Sequence, residues 1–253
     1  MNDVNPGAPG GVSGRSALVV GGGRGLGRAV AIALAEGGAR VLAVGRTAKP
    51  LDELAALARS RRLSLRVARG DAGRAASVRA WIRAAATKER APDILVIAAG
   101  DYWEGPFSKL TVELWEALLH SNTTVPLAVL QEALPLMRKR RYGRILLFGV
   151  AGGEAPRAAA RAHAYRAAKV ALLTLAKSVA HDEAPNGITV NVILPGIIRP
   201  AFSGREADLI RRIPAGRLGT PDEIARCVVF LAADDSGFIT GSTLTANGGQ
   251  YMV

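Results

Sequence analysis

The stretch Ser16–Gly27, SALVVGGGRGLG, constrains this chain more than any other. A short β-branched run breaks into glycines and then opens a helical pattern, Arg28–Gly37. Glycines 21, 25 and 27 give the spacing G-x-x-x-G-x-G directly after a predicted strand. One glycine allows a sharp turn, one lets backbone approach a pyrophosphate without a Cβ in the way, and one lets helix pack closely on strand. The helix start then offers unpaired N–H groups and a positive dipole end to phosphates. Glycines also mark ordinary tight turns, so the reading depends on its setting between strand and helix.

That setting repeats. Strands are predicted at Ala17–Val20, Arg40–Val44, Ser64–Val67, Ile94–Ala98, Arg144–Phe148, Thr189–Ile193 and Thr243–Thr245. Helical patterns fill the gaps, at Gly25–Glu36, Leu51–Arg61, Ala75–Lys88, Val112–Met137, Ala160–Glu183 and Pro221–Ala233. Strands alternating with helices imply parallel pairing through right-handed crossovers. The expected fold is α/β: a Rossmann-type, doubly wound, parallel seven-stranded sheet with its ligand at the strand carboxyl ends. A length of 253 residues suits one such domain, expected at 15–253 behind a flexible Gly- and Pro-rich lead at 1–14. With 49% hydrophobic and 21% charged residues the chain is globular in composition.

Apolar runs such as Ile94–Ala99 are too short to span a bilayer. The first residues lack a basic stretch followed by an apolar core, so no signal peptide and a cytoplasmic location are expected. The single cysteine, Cys227, lies at helical spacing with Ile224 and Leu231 and reads as a buried apolar residue. No metal site is expected. The net charge of +12 includes two clusters, Arg59–Arg62 with Arg66 and Arg69, and Arg138–Arg141. Nucleic acid rewards clustered cations, but neither cluster sits in a helix-turn-helix, zinc or base-stacking pattern. A solvated arginine-rich surface is the reading preferred over a nucleic-acid binder.

The strand ends show what would face a dinucleotide. After the second strand come Gly45 and Arg46, where a carboxylate would hold the free ribose 2′-hydroxyl of NAD. Arg24 and Arg46 together favour a 2′-phosphate, hence NADP(H) over NAD. After the third strand, Asp71 is placed to accept from the adenine amino group or to cap the next helix. Tyr165 and Lys169, in AYRAAKVAL, stand at i and i+4 and share a helix face. A lysine beside a phenol favours the phenolate, so the spacing predicts a lowered tyrosine pKa and a proton donor usable near neutral pH.

At these residues the chain resembles the short-chain dehydrogenase/reductase family over about Ser16–Val253, and most of all the 3-oxoacyl-carrier-protein reductases and related ketoreductases. The stretches that carry the resemblance are VVGGGRGLG, DILVIAAG, HSNTTVP, YRAAK, VNVILPG, IPAGRLGTPDEIA and FITGSTLTANGGQYM. The resemblance implies Asn122, Tyr165 and Lys169 as catalytic residues. Asn122 would hold a water and a helix kink in a proton relay, Tyr165 would be the acid/base, and Lys169 would hold the nicotinamide ribose. It implies cofactor contacts from Gly21, Gly23, Arg24, Gly25, Leu26, Gly27, Arg46, Asp71, Ala99 and Gly100. Pro195, Gly196 and Ile198 would lie against the nicotinamide, with Ile198 offering its backbone to the carboxamide. It also implies a homo-oligomer, dimer or tetramer, joined through 112–137 and 160–183.

The departures from the family pattern are as informative. The family's catalytic serine falls at Val150 or Gly152, yet Ile145–Ala164 contains neither Ser nor Thr. Its Asn-Asn-Ala-Gly is Ile97-Ala98-Ala99-Gly100 here, the threonine opening the glycine motif is Val20, and the one after Pro-Gly is Pro200. Losing such a hydroxyl donor slows chemistry by about 10²–10³. Replacement donors are Arg157, Arg161, His163 or a backbone N–H near Ala151. Two function classes follow: an NADPH-dependent ketone reductase, or a weak or inactive cofactor-binding scaffold or redox sensor. Candidate substrate contacts are Val150, Tyr102, Trp103 and His163; the two aromatics suit either a flat apolar ketone or an interface. Gly204–Pro214 is where the family places a mobile lid. For docking of an acidic carrier protein, Arg141 falls on one basic position, whereas the second is Asn186.

Overall fold

The computed structural model describes residues 11–85, 92–155, 158, 161–199 and 206–252. Seven strands form one parallel sheet: β1 (Ser16–Val20), β2 (Arg40–Gly45), β3 (Leu65–Arg69), β4 (Ile94–Ile97), β5 (Gly143–Phe148), β6 (Ile188–Pro195) and β7 (Thr243–Ala246). Their spatial order is β3-β2-β1-β4-β5-β6-β7. The doubly wound expectation holds, and the order reverses between β1 and β4, where such sheets open a crevice. The helices are α1 (Gly25–Glu36), α2 (Ala48–Ser60), α3 (Ala75–Ala85), α4 (Val112–Leu119), α5 (Val125–Arg140), α6 (His163–Glu183), α7 (Glu206–Ile210) and α8 (Pro221–Ala232). None of them is long and apolar enough to cross a membrane.

The strand alternation explains the layers. Leu18 and Val20 of β1 face a core with Trp81 of α3, Leu130 of α5 and Leu172 of α6. Ala17 and Val19 face the opposite core with Leu34 of α1, Leu54 of α2 and Val228 of α8. Two faces covered by helices favour continuous apolar runs, which is how β4 reads throughout and how β1 and β5 read beyond Ser16 and Arg144.

Five expectations change. The 1–14 lead is not all loose: Val12 is buried, and Gly14 N–H donates to the Gly38 carbonyl at 3.0 Å. Residues 1–10 lie outside the described residues. The helix expected at 112–137 is two helices joined by a π turn, His120–Thr124. There the Asn122 side chain takes over the Leu118 carbonyl at 3.0 Å, so the backbone ladder opens. The helix expected from residue 160 begins at His163, and the one expected from 51 begins at Ala48. Cys227 is half-buried, its thiol on the Glu223 carbonyl at 3.4 Å, because it sits at the edge of the α8 apolar stripe.

The amino ends of the strands carry a dense polar network. Asp93, just before β4, accepts from Ser16 N–H and Oγ at 2.8 Å each and from Arg140 at 2.5 Å. Burial pushes its carboxyl up, and these donors more than reverse that, leaving it below the usual carboxylate range. Arg15 and Arg144 lie over the Tyr142 ring at 4.2 and 4.5 Å, and Arg15 and the Tyr142 hydroxyl both donate to Asp234 at 2.6 Å.

Candidate active site

The carboxyl ends of β1 and β4 open into a groove of about 420 Å³. It collects Gly21, Gly23, Arg24, Arg46, Asp71, Ala99 and Gly100, seven of the residues expected at a dinucleotide. Close approach explains two glycines. A Cβ on Gly21 would lie 2.6 Å from the Ala99 nitrogen, and one on Gly27 would collide with the Gly21 carbonyl. The first turn of α1, Gly25 to Gly27, starts behind this floor. The Arg24 side chain makes no cap bond to that helix, which leaves the positive end of its dipole open to an anion. Arg24, the residue before the helix, is exposed and without a partner among the described residues. Asp71 accepts from Gly73 N–H at 3.0 Å in an Asx turn; α3 begins only at Ala75, so Asp71 is not the helix cap that the sequence offered beside adenine.

Arg46 is engaged: its guanidinium donates to Asp101 at 2.7 Å. Asp101, His120, Ser121 and Trp81 also line the groove. The sequence reading passed over Asp101 as a lining residue, although its position directly after β4 and Gly100 was the available signal.

Tyr165 and Lys169 sit one turn apart on α6, the ammonium 5.7 Å from the phenol ring centre. Lys169 donates to the carbonyl of Phe148, the last residue of β5, at 2.8 Å. Burial pushes the Lys169 ammonium down to about 8. Burial also pushes the Tyr165 phenol up to about 12, the opposite of the lowered value expected from the i, i+4 spacing. The reason is geometric: the ammonium lies toward the ring and its proton is directed to a carbonyl, so desolvation of the phenolate is uncompensated. Among the described residues the Tyr165 hydroxyl has no hydrogen-bond partner.

Asn122 is fully buried in the π turn. Its Nδ2 donates to the Asp101 carbonyl at 2.8 Å, while its Oδ1 is buried with no partner. Thr123 Oγ1 donates to the Ala168 carbonyl at 3.0 Å, fastening the turn to α6 one residue before Lys169. An orphaned buried acceptor of this kind calls for a water or a substrate group.

After β5 the serine-free loop is held on several sides. Gly149 N–H donates to Ile193 at 2.9 Å, and Gly153 N–H to the Val150 carbonyl at 2.9 Å. The buried Arg166 guanidinium donates to the carbonyls of Ala151, at 3.1 Å, and Gly152. Glu154 accepts from the hydroxyls of Thr243 and Thr245. Tyr102 packs edge-on against the Tyr165 ring at 4.9 Å and donates to Glu104 at 2.7 Å. His163 meets Phe107 edge-on at 5.6 Å, and the Trp103 ring lies against Gly105. Arg161 contributes its carbonyl, which accepts from Gly105 N–H at 2.7 Å. Arg157, Pro200 and residues 204–205 of the expected lid lie outside the described residues.

On the far side, Gly196 and Ile198 line a second groove of about 350 Å³ with Asn247. Ile198 bridges Gly219 in parallel, and the bonds use Ile197 and Arg199, leaving the Ile198 N–H and C=O turned away from the bridge. Pro195 ends β6 beside them. The basic clusters are largely engaged with the chain itself: Arg61 with Glu36, Arg66 with the Ala84 carbonyl, Arg138 with Glu183 and Arg141 with the Pro185 carbonyl.

Comparison with known proteins agrees with this geometry. A family model described as enoyl-(acyl carrier protein) reductase matches residues 20–250. The acetoacetyl-CoA reductase of Rhizobium meliloti (strain 1021) is 39% identical over 247 residues, covering 94% of this chain and 99% of that protein. The 3-oxoacyl-[acyl-carrier-protein] reductase FabG of Escherichia coli (strain K12) is 35% identical over 251 residues, covering 95% and 98%. Among solved structures, that of gox2181 superposes with a TM-score of 0.87 at 28% identity, covering 94% of this chain and 96% of that one. Matches along nearly the whole length, on a seven-stranded parallel sheet with Tyr165 and Lys169 on one helix face, place the chain in the short-chain dehydrogenase/reductase family of oxidoreductases.

Proposed function

We propose that this chain is an NADPH-dependent ketoreductase in which Tyr165 supplies the proton. The observation that carries the reading is the trio at the sheet's carboxyl end: a half-buried phenol with no hydrogen-bond partner among the described residues, a buried lysine one turn away, and the orphaned Asn122 Oδ1. The residues fit the cofactor, since the close-packed glycines, the uncapped α1 and the unpartnered Arg24 all favour a bound pyrophosphate or phosphate. When bound, the nicotinamide supplies the hydride. Tyr165 then donates its proton to the substrate oxygen, and burial, by holding the phenol protonated, suits it to donation rather than abstraction. Lys169, its ammonium lowered to about 8 by burial, orients the ribose side and restores the Tyr165 proton through Asn122 Oδ1 and solvent. Arg24 and Arg46 receive the 2′-phosphate, Asp71 and Ala99 border the adenosine, and Ile198 offers its backbone to the carboxamide.

The substrate class is a ketone carried on a thioester, as the names of the two reductase relatives state for those proteins. Arg141, in the turn between α5 and β5, stands as a contact for an acidic carrier. The exposed Val112, Trp115 and Leu127 on α4 and α5 suit a homo-oligomeric interface. The location proposed is cytoplasmic.

The test is NADPH oxidation followed at the nicotinamide absorbance band with 3-oxoacyl thioesters, simple ketones and quinones. Turnover on a ketone that disappears in Tyr165→Phe is the expected result. The stretch Ile145–Ala164, which lacks any hydroxyl side chain, favours a second reading, a cofactor-binding scaffold or redox sensor. Tight NADPH binding with no turnover on any substrate would select it.

A further inference from the structure

We infer that Asp101 sets the cofactor affinity of the groove by holding Arg46 across it, an inference that rests on reading the groove as a dinucleotide site. Arg46 follows β2 and Asp101 follows β4, the two strands that flank β1. Two strand spacings, about 10 Å, separate those ends. The side chains close that distance with a 2.7 Å contact, past the carboxyl end of β1 where the glycine loop begins. Both residues line the groove.

Neither backbone supplies the reach, because both are fixed. The Gly45 carbonyl accepts from Gly70 N–H at 2.9 Å and the Arg46 carbonyl from Arg69 at 3.1 Å. Asp101 N–H donates to Ser121 Oγ at 3.3 Å and its carbonyl accepts from Asn122 at 2.8 Å. The ion pair itself is the soft part, with side chains 60% and 46% exposed.

A dinucleotide laid on the glycine loop, with its adenosine ribose at the end of β2, passes between these two residues. The pair therefore opens before either NADPH or NADH seats, and the cost of opening is the same for both. Only NADPH returns an anion, its 2′-phosphate, to Arg46. Asp101 thus lowers affinity for both forms by one common factor, while Arg46 discriminates between them.

The experiment is a titration of NADPH and NADH by nicotinamide fluorescence at low ionic strength, on the wild type, Asp101→Asn, Arg46→Ala and the double variant. Asp101→Asn is expected to tighten both cofactors equally, by about two- to fivefold. The gain should vanish at about 0.5 M salt. Arg46→Ala should tighten NADH by that same factor and weaken NADPH, and adding it to Asp101→Asn should leave NADH unchanged. Unchanged or weaker binding in Asp101→Asn overturns the inference. Tightening confined to NADPH overturns it too, since Asp101 would then only repel the phosphate. If Arg46→Ala tightens both forms alike, the 2′-phosphate reading fails while the role of the pair across the groove stands.

Discussion

Asp93 and Lys169 lie at opposite ends of the same parallel sheet, and both are buried. Asp93, at the amino ends, receives two donors from Ser16 and one from Arg140, and its carboxyl stays charged far below neutral pH. Lys169, at the carboxyl ends, has one carbonyl, and burial pulls its ammonium down to about 8. Tyr165 beside it has its phenol pushed up to about 12 by burial alone. One end of the molecule satisfies its buried charge and gains stability from it. The other end leaves the buried Asn122 Oδ1 without a partner among the described residues and gives Lys169 a single carbonyl, a cost that a fold keeps where the groups have another task.

The sharpest way to break this contrast is to remove one group from the carboxyl end and look for the wrong kind of damage. Tyr165→Phe should cost about 10²–10⁴ in ketone turnover. Its melting temperature should hold or rise, because the lost hydroxyl has no partner to leave behind. A clear fall in melting temperature would show that the phenol is structural.

Lys169→Met gives the next largest effect, and its sign depends on pH. The folded value of about 8 lies below the ordinary 10.5, so between those values the unfolded chain binds more protons and wild-type stability rises with pH. Below pH 8 the whole difference is felt, about 3 kcal/mol. The variant should therefore be the more stable protein in urea at pH 7, with the gap closing toward pH 10.5. The Tyr165 shift acts in the opposite sense but only above pH 10, so it leaves this window clear. A gap that does not change with pH would remove Lys169 from the comparison.

Asp93→Asn probes the satisfied end. Leaving Arg140 and the Ser16 donors short of a buried anion should cost about 2 kcal/mol at pH 7, with turnover unchanged. Because the folded carboxyl lies below the ordinary 3.8, its contribution is complete above that value and is lost as pH falls through the folded one. The difference between variant and wild type should shrink in acid accordingly.

The same contrast explains what the sequence made legible. Layering and parallel pairing followed from apolar runs separated by helical periodicity, since burial on both faces leaves that mark. The residues of the groove were readable because each lies within a few residues of a strand's carboxyl end, so Gly21, Arg24, Arg46 and Gly100 could be picked off one by one. The π turn at His120–Thr124 lay inside a continuous helical pattern, and only the family resemblance pointed to a kink at Asn122; the turn depends on where the Asn122 amide points, which periodicity does not encode. The Arg46–Asp101 pair joins residues 55 apart, so no local motif announces it. The direction of the Tyr165 shift was misread for a related reason: spacing tells which side chains share a face, whereas desolvation depends on everything packed around them.

Val150→Ser carries the smallest expected effect and sharpens the comparison by adding a partner where the carboxyl end lacks one. The loop into which it goes is fixed on both sides, by Gly149 N–H on Ile193 and by Gly153 N–H on the Val150 carbonyl. Arg166 holds the next two carbonyls, so a hydroxyl at 150 would sit on backbone that does not wander. A well-placed donor to a developing oxyanion is worth about 10²–10³, and a graft without its supporting shell recovers part of that. The expected gain is about tenfold in kcat/KM for ketone reduction, with NADPH binding and melting temperature unchanged. No gain would mean that a donor already serves the substrate oxygen, and the candidates are then Arg161, His163, Arg157 and the amides around Ala151. Single replacement of the three side chains in the Val150→Ser background would separate them, since only the serving donor's loss would make the new hydroxyl matter.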